Sequence, residues 1–222
     1  MKIVGLTGLP RVGKDTLANL LVARHGFVRV AYATKLYEEV AAGFGVTVEQ
    51  LASDEWKQNR RPELTLDRCI DGNFLRALFE SGYKEWPNKN YSTDFHRTSR
   101  EILQWWGTEY RRRQNGNYWV LRLREQLAEL YQTGCKAVVI SDARAYLTVD
   151  GRPNYNEFEM PDNFAFDHGG SFRLFEITKP GAVSNGHSSD TRFAPHMVYA
   201  TLHNDRTPEE LLFVATHKGI LL

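Results

Sequence analysis

Apolar positions along the chain follow two periods. Runs of strand length occur at 2–7, 27–32, 137–141, 172–178 and 198–203, and between them apolar residues recur three and four apart, the spacing that gathers them on one face of a helix. Strands alternating with helices predict a five-stranded, mostly parallel sheet with helices on both faces, a three-layer α/β arrangement. The first helix is predicted to run from the loop before Lys14 to about Arg24, with Leu17, Leu20 and Leu21 on its core face and Gly26 as its stop. Three more helix starts are legible from the spacing of capping boxes: Thr47 with Gln50, Thr98 with Glu101, and Thr207 with Glu210, the last with Pro208 at the first helical position. After Thr98, Ile102, Trp105 and Trp106 share a face, and after Tyr118 so do Leu123, Leu127 and Leu130, up to Gly134. Core packing is the expectation for Trp106.

The elements are unevenly spaced. About a hundred residues of mostly helical pattern separate the second strand from the third, interrupted by a Pro-, Gly- and Asn-rich stretch at 81–93. That is too long for a simple crossover. It predicts a helical insertion at about 36–118 over the carboxyl edge of the sheet, where open α/β sheets bind ligands. Irregular stretches are predicted at 150–170 and 180–195.

Composition narrows the class. With 222 residues, 42% of them hydrophobic, the chain can bury one substantial core, so a single domain, 1–222, with insertions is expected. Formal charge is +1 and the basic residues are dispersed, which gives no bulk electrostatic case for a nucleic-acid or membrane surface. No stretch approaches the ~18 to 20 apolar residues of a membrane span, and the chain enters a strand without a charged leader, so a soluble, cytoplasmic protein is expected. Cys69 and Cys135 stand in no C-x-x-C or metal-like spacing and read as reduced thiols. His187, His196 and His203 form no short-spaced zinc pair.

The candidate chemistry begins after the first strand. Gly8-Leu9-Pro10-Arg11-Val12-Gly13-Lys14-Asp15-Thr16 has the glycines and lysine of a phosphate-binding loop between a strand and a helix. Glycines let consecutive N–H groups curl toward a polyphosphate, Lys14 adds a point charge, and the helix adds its positive end. Such a loop holds a nucleoside triphosphate. Asp15 stands where most such loops place the Ser or Thr that touches Mg²⁺, and the hydroxyl comes one place later at Thr16.

Phosphoryl transfer needs charge neutralisation and in-line positioning, so the convergence of cations matters. Arg97 and Arg100 flank the start of the Thr98 helix, and Arg111, Arg112 and Arg113 end it. Guanidinium groups suit a bidentate grip on phosphate, the alternative being a solvated face. The third strand delivers Asp142 and Arg144 to the same carboxyl edge as the loop, where an acid orients Mg²⁺ through water or positions an acceptor hydroxyl; capping of the next turn is the other reading of Asp142. Lys35 follows the second strand, as a cation for an acceptor phosphate or as a solvated lysine at a helix start.

Together these residues resemble the phage-type deoxynucleoside monophosphate kinases of the P-loop nucleotide kinase superfamily. The resemblance rests on Gly-Lys-Asp-Thr at 13–16, Ala33-Thr34-Lys35-Leu36, the block from Arg100-Glu101-Ile102-Leu103-Gln104 through Gly107-Thr108-Glu109 to Arg112, and Ile140-Ser141-Asp142-Ala143-Arg144. Weaker echoes are Asn156-Glu157, Lys179-Pro180-Gly181, His187-Ser188-Ser189-Asp190 and Asn204-Asp205. It implies a P-loop kinase fold of five parallel strands with an acceptor-binding insertion and a lid at about 179–195. It implies ATP as donor, Mg²⁺, and transfer to the 5′-phosphate of a deoxynucleotide. On this pattern Gly8, Arg11, Val12, Gly13, Lys14, Asp15 and Thr16 bind ATP, with Lys14 on the β and γ phosphates. Thr16 and Asp142 place Mg²⁺, and Arg100 and Arg112, helped by Lys35, hold the acceptor phosphate. Gln104, Glu109 and nearby aromatics are candidates for the base pocket, and Arg144 with a lid cation, Lys179, meets the transferring charge. Expected partners are the two small-molecule substrates, with a homodimer allowed, and the expected location is cytoplasmic, in the host if phage-encoded. Other readings of the loop are a phosphomevalonate- or dephospho-coenzyme A-type kinase, or an ATPase acting on nucleic acid, for which a broad basic surface is missing.

Overall fold

A computed structural model describes residues 1–81, 92–147, 151–183 and 191–222. Its elements run in the order β1 (Lys2–Thr7), α1 (Lys14–His25), β2 (Val28–Val30), α2 (Ala33–Phe44), α3 (Val48–Ala52), α4 (Asp54–Gln58), α5 (Gly72–Glu80) and α6 (Ser99–Gln104). They continue with α7 (Tyr118–Gln132), β3 (Ala137–Ile140), β4 (Tyr146–Leu147), β5 (Pro153–Asn154), α8 (Asn156–Asp167), β6 (Ser171–Thr178), β7 (Val198–His203) and α9 (Pro208–His217). The chain divides into two units, 1–32 with 120–222, and 33–119.

The first unit is built on a sheet of order β2-β3-β1-β6-β7 in which every neighbouring pair is parallel. The alternation of side chains along each strand decides what covers which face. Val4 and Leu6 of β1, Val139 of β3 and Phe175 and Ile177 of β6 pack with Leu17 and Leu21 of α1 and Leu211, Leu212 and Ala215 of α9. Ile3, Val138, Ile140 and Leu174 face the other way, onto Leu123 and Leu127 of α7 and Phe164 and Ala165 of α8. Each large side chain buried this completely contributes about 1.5–3 kcal/mol. The α/β class is therefore three layers with helices on both faces. Strand order reverses at β1, whose carboxyl end opens between β3 and β6, the position where such sheets form a ligand crevice.

Two local departures from the sequence reading stand out in this unit. Residues 150–170, expected to be irregular, contain β5, which pairs antiparallel with β4, and the twelve-residue helix α8. Pro161 lies inside α8 and obscures it in the sequence, because proline removes a helical donor and reads as a breaker. Strand β2 is also three residues long rather than six.

The second unit packs around aromatic rings. Trp106 is 1% exposed, stacks on Phe74 at 4.6 Å between centroids, and meets Phe44 and Tyr110 at its edges. Gly43 of α2 makes room for it: a Cβ there would lie 2.6 Å from the tryptophan ring. Glu39, one turn before Gly43, accepts from Trp106 Nε1 at 2.9 Å, Arg111 Nε at 2.7 Å and the Tyr118 hydroxyl at 2.6 Å. Helix α6 begins with the Thr98–Glu101 capping box and then passes into a π-helical stretch, Trp105–Arg112, with i→i+5 bonding. The boxes at Thr47 and Thr207 form as well.

Candidate functional site

The loop between β1 and α1 is held in shape by contacts distant in sequence. Gly8 has φ 130° and Gly13 φ 107°, both in the region that only glycine enters readily. Space enforces the same choice, since a Cβ on Gly8 would lie 2.2 Å from the Ile177 carbonyl oxygen and one on Gly13 would lie 2.4 Å from Asn204 Nδ2. Arg11 is the one positive-φ non-glycine among the described residues, at 64°, so the loop stores some backbone strain at its tip.

Lys14 is 8% exposed, and its ammonium donates to the carbonyls of Gly8 at 2.7 Å and Leu9 at 2.8 Å. The charge is thereby held on the carbonyls of the turn itself. No side chain caps the start of α1, where Gly13 occupies the N-cap position. Asn204, just after β7, donates from Nδ2 to the Val12 carbonyl at 2.7 Å, and its own N–H is bonded to Thr178. The loop is thus tied to the carboxyl ends of β6 and β7.

Beside it, Ala143 N–H donates to the Leu6 carbonyl at 3.1 Å, which fixes the strand end carrying Asp142 and Arg144 against β1. Asp142 accepts from the Tyr32 backbone N–H at 2.8 Å. Glu157, 3% exposed in the first turn of α8, accepts from the Arg144 N–H at 2.8 Å. Tyr32 also donates its hydroxyl to the Glu157 carbonyl at 2.8 Å. Burial first, then the charges of Glu157 and Asp142, hold the Tyr32 phenol well above its ordinary pKa, so it stays a donor.

A cleft of this unit is lined by Gly8 and Val12 of the loop, Arg144, Glu176 and Thr178, Lys179, Thr191 and Arg192. Arg192 pairs with Glu176 at 3.6 Å. Of the residues singled out from sequence, Gly8, Val12, Arg144 and Lys179 meet here. Arg11, Asp15 and Thr16 are exposed on and just after the loop.

The other five belong to the second unit. Lys35 makes an exposed pair with Glu38 at 2.7 Å. Arg100 and Gln104 are exposed one turn apart on α6, and Glu109 and Arg112 are half-buried in the π-helical stretch. Arg97, counted among the acceptor-lobe cations, is instead 1% exposed: it donates to the Phe95 and Ser92 carbonyls and lies over the Trp105 and Phe95 rings. Arg111 is drawn onto Glu39 and the faces of Tyr110 and Tyr118. Both guanidinium groups serve the core of this unit.

Residues 184–190, within the region read as a lid and including the His187-Ser188-Ser189-Asp190 echo, lie outside the described residues, as does most of the 81–93 stretch. Sequence reasoning left out Tyr32, Arg29, Glu176 and Arg192, and took Asn204 only as an echo. Among the described residues no group of three His, Cys, Asp or Glu is placed to hold a metal ion. Also among them, no helix is long and apolar enough to cross a membrane.

No protein-family model matches the chain, and no curated protein matches it in sequence. Among solved structures it is similar to the dephospho-CoA kinase of Campylobacter jejuni, at 12% identity over 99% of this chain and 98% of that one, with a TM-score of 0.44. It is similar also to the APS kinase of Mycobacterium tuberculosis in complex with AMPPNP and APS, at 13% identity over 98% and 96% and a TM-score of 0.43. A sugar kinase of Janibacter sp. HTCC2649 matches at 12% identity over 98% and 93%, with a TM-score of 0.40. Likeness at this level assigns no family. The class is defined by the chain's own parallel sheet, with a glycine-rich loop at the switch point.

Proposed function

We propose that the protein is an ATP-dependent phosphotransferase whose acceptor is a deoxynucleoside 5′-monophosphate. The observation that carries the phosphate-binding half is the loop itself. Gly8 and Gly13 occupy glycine-only backbone, Lys14 is drawn over the turn by two loop carbonyls, and the α1 N-terminus carries no side-chain cap. That arrangement supports reading the loop as the seat of a β,γ-phosphate, with Asp142 and Arg144 on the adjoining strand end. Lys14 binds and orients the donor phosphates, and Arg144 with Lys179 offsets charge on the transferring group.

Thr16 and Asp142 fit Mg²⁺. They are hard oxygen donors, which suit an ion that keeps several waters and takes its remaining ligands from phosphate. Bound there, Mg²⁺ would neutralise phosphate charge.

The acceptor assignment rests on the second unit, where Arg100 and Gln104 are exposed one turn apart and Glu109 and Arg112 follow in the π-helical stretch. We assign Arg100 and Arg112, with Lys35, to the acceptor phosphate, and Gln104 and Glu109 to the base. On this reading residues 1–222 form one kinase domain, with the unit 33–119 as its acceptor-binding insertion.

A thermal-shift panel tests the assignment. A ligand at 100 times its Kd stabilises by about 2.7 kcal/mol, so ATP and at least one of the four deoxynucleoside monophosphates should each raise the melting temperature. Stabilisation by phosphomevalonate or dephospho-coenzyme A, and by no deoxynucleotide, would contradict it.

A further inference from the structure

We propose that Arg29 is a positioning residue for the phosphate loop: it holds the Asp15 carboxylate against the β2 edge and cancels its charge, so that the acid following Lys14 does not oppose an incoming polyphosphate. The inference rests on the reading that the Gly8–Thr16 loop binds a triphosphate.

Asp15 is the second residue of α1, and its side chain is 76% exposed. An acid in the first turn favours a helix on its own account. When the same turn must also receive phosphate, however, that acid competes for the amides and repels the ligand. The structure resolves the conflict through Arg29 of β2, whose guanidinium pairs with Asp15. Two further bonds fix it: Nε donates to Ser141 Oγ at 3.0 Å and Nη1 to Asn19 Oδ1 at 2.8 Å.

Ser141 is 1% exposed and immediately precedes Asp142, while Asn19 lies one turn beyond Asp15 on α1. One planar fork therefore spans α1 and the end of β3 through three acceptors, which a lysine ammonium cannot match in geometry. This also accounts for the acid in the motif position usually held by a hydroxyl residue: its charge is already spoken for.

The size of the effect follows from Coulomb's law. A carboxylate left uncompensated about 8 Å from Mg²⁺·ATP, which carries some two net negative charges, weakens binding by about 5-fold in water at low salt, and by less once the Debye length shortens. A purely structural brace between β2 and α1 would show none of that dependence.

The test is equilibrium binding of Mg²⁺·ATP by calorimetry to the full chain and to Arg29→Met, Asp15→Asn and the double variant, at about 0.02 M and 0.5 M salt, with a melting curve for each. The expected result is a Kd raised about 5-fold at low salt in Arg29→Met, with the gap narrowing at high salt. Asp15→Asn should restore binding to within about twofold in that background, and alone should tighten it, because the Arg29 charge is then unopposed. Unchanged affinity in Arg29→Met, or a folded double variant as weak as the single one, would overturn the proposal. If Arg29→Met does not fold, Arg29→Lys takes its place, with a smaller weakening that Asp15→Asn must again relieve. A wild-type chain that binds no ATP refutes the reading of the loop; a wild-type chain that binds while Arg29→Met matches it refutes this inference alone.

Discussion

The hydroxyl of Tyr32 donates to the backbone carbonyl of Glu157 at 2.8 Å, and that carbonyl belongs to the residue four places before Pro161 in α8. Proline has no N–H to return to it, so Tyr32 supplies the missing donor from across the unit. The same residue donates its backbone N–H to Asp142, so a repair in a helix and the placement of a candidate site acid share one residue.

Tyr32→Phe should therefore destabilise the chain by about 0.5–1.5 kcal/mol in denaturant unfolding, the net worth of one hydrogen bond lost. Pro161→Ala restores a donor of the helix's own. It should recover part of that loss in the Tyr32→Phe background, and a double-mutant cycle should show coupling of about 1 kcal/mol. Strictly additive effects would mean that the two residues do not share the carbonyl.

Gly43→Ala should be costly for a different reason. Its Cβ would stand 2.6 Å from the Trp106 ring, which is pinned by Phe74 on one side and by the Glu39 carboxylate at its Nε1. Overpacking of this kind costs about 1–3 kcal/mol. A melting temperature within about 1 °C of wild type would show that the tryptophan can shift.

Alkaline pH should destabilise the fold. Burial pushes the Cys69 thiol up to about 11 and holds the Tyr32 phenol above its ordinary value. The folded chain therefore keeps both protons at pH values where the unfolded chain releases them. The corresponding stability is complete below the ordinary thiol value and is lost as pH rises through about 9 to 11. Unfolding measured at pH 8 and 10.5 should show the decline, and Cys69→Ala should make it shallower. Alkylation at pH 8 should reach Cys135, which is partly exposed, before Cys69.

Much of the architecture is legible in the sequence because it is local. Capping boxes at Thr47, Thr98 and Thr207 need only four consecutive residues, and the strand runs at 2–7 and 198–203 are bounded by turn residues; all appear in the structure. What escaped is long-range or hidden by a misleading residue. Pro161 masked α8. The π-helical stretch left no signal, because Trp105, Trp106 and Tyr110 are spaced acceptably for an ordinary helix too. From its type alone Arg97 suits a phosphate or a solvated face, whereas its partners Ser92, Phe95 and Trp105 become visible only once the chain has folded. Asn204 reaches Val12 across 192 positions, a pairing that no spacing rule contains.

Asn204→Ala removes that tie and opens space over Gly13. ATP affinity should fall several-fold, with a smaller effect on melting temperature, because the loop must then be ordered by the ligand itself. Equal affinity in a folded variant would show that the loop holds its shape unaided.

The most direct measurement is transfer of labelled γ-phosphate from ATP, with Mg²⁺, to each of the four deoxynucleoside 5′-monophosphates, run in parallel on the wild-type chain and on Lys14→Ala. Labelled deoxynucleoside diphosphate is expected from at least one acceptor with the wild type. A loss of about 100-fold or more is expected in a folded Lys14→Ala chain, in line with the removal of a preorganised charge from such a site. Wild type that labels none of the four, or Lys14→Ala at full activity, would contradict the proposed function.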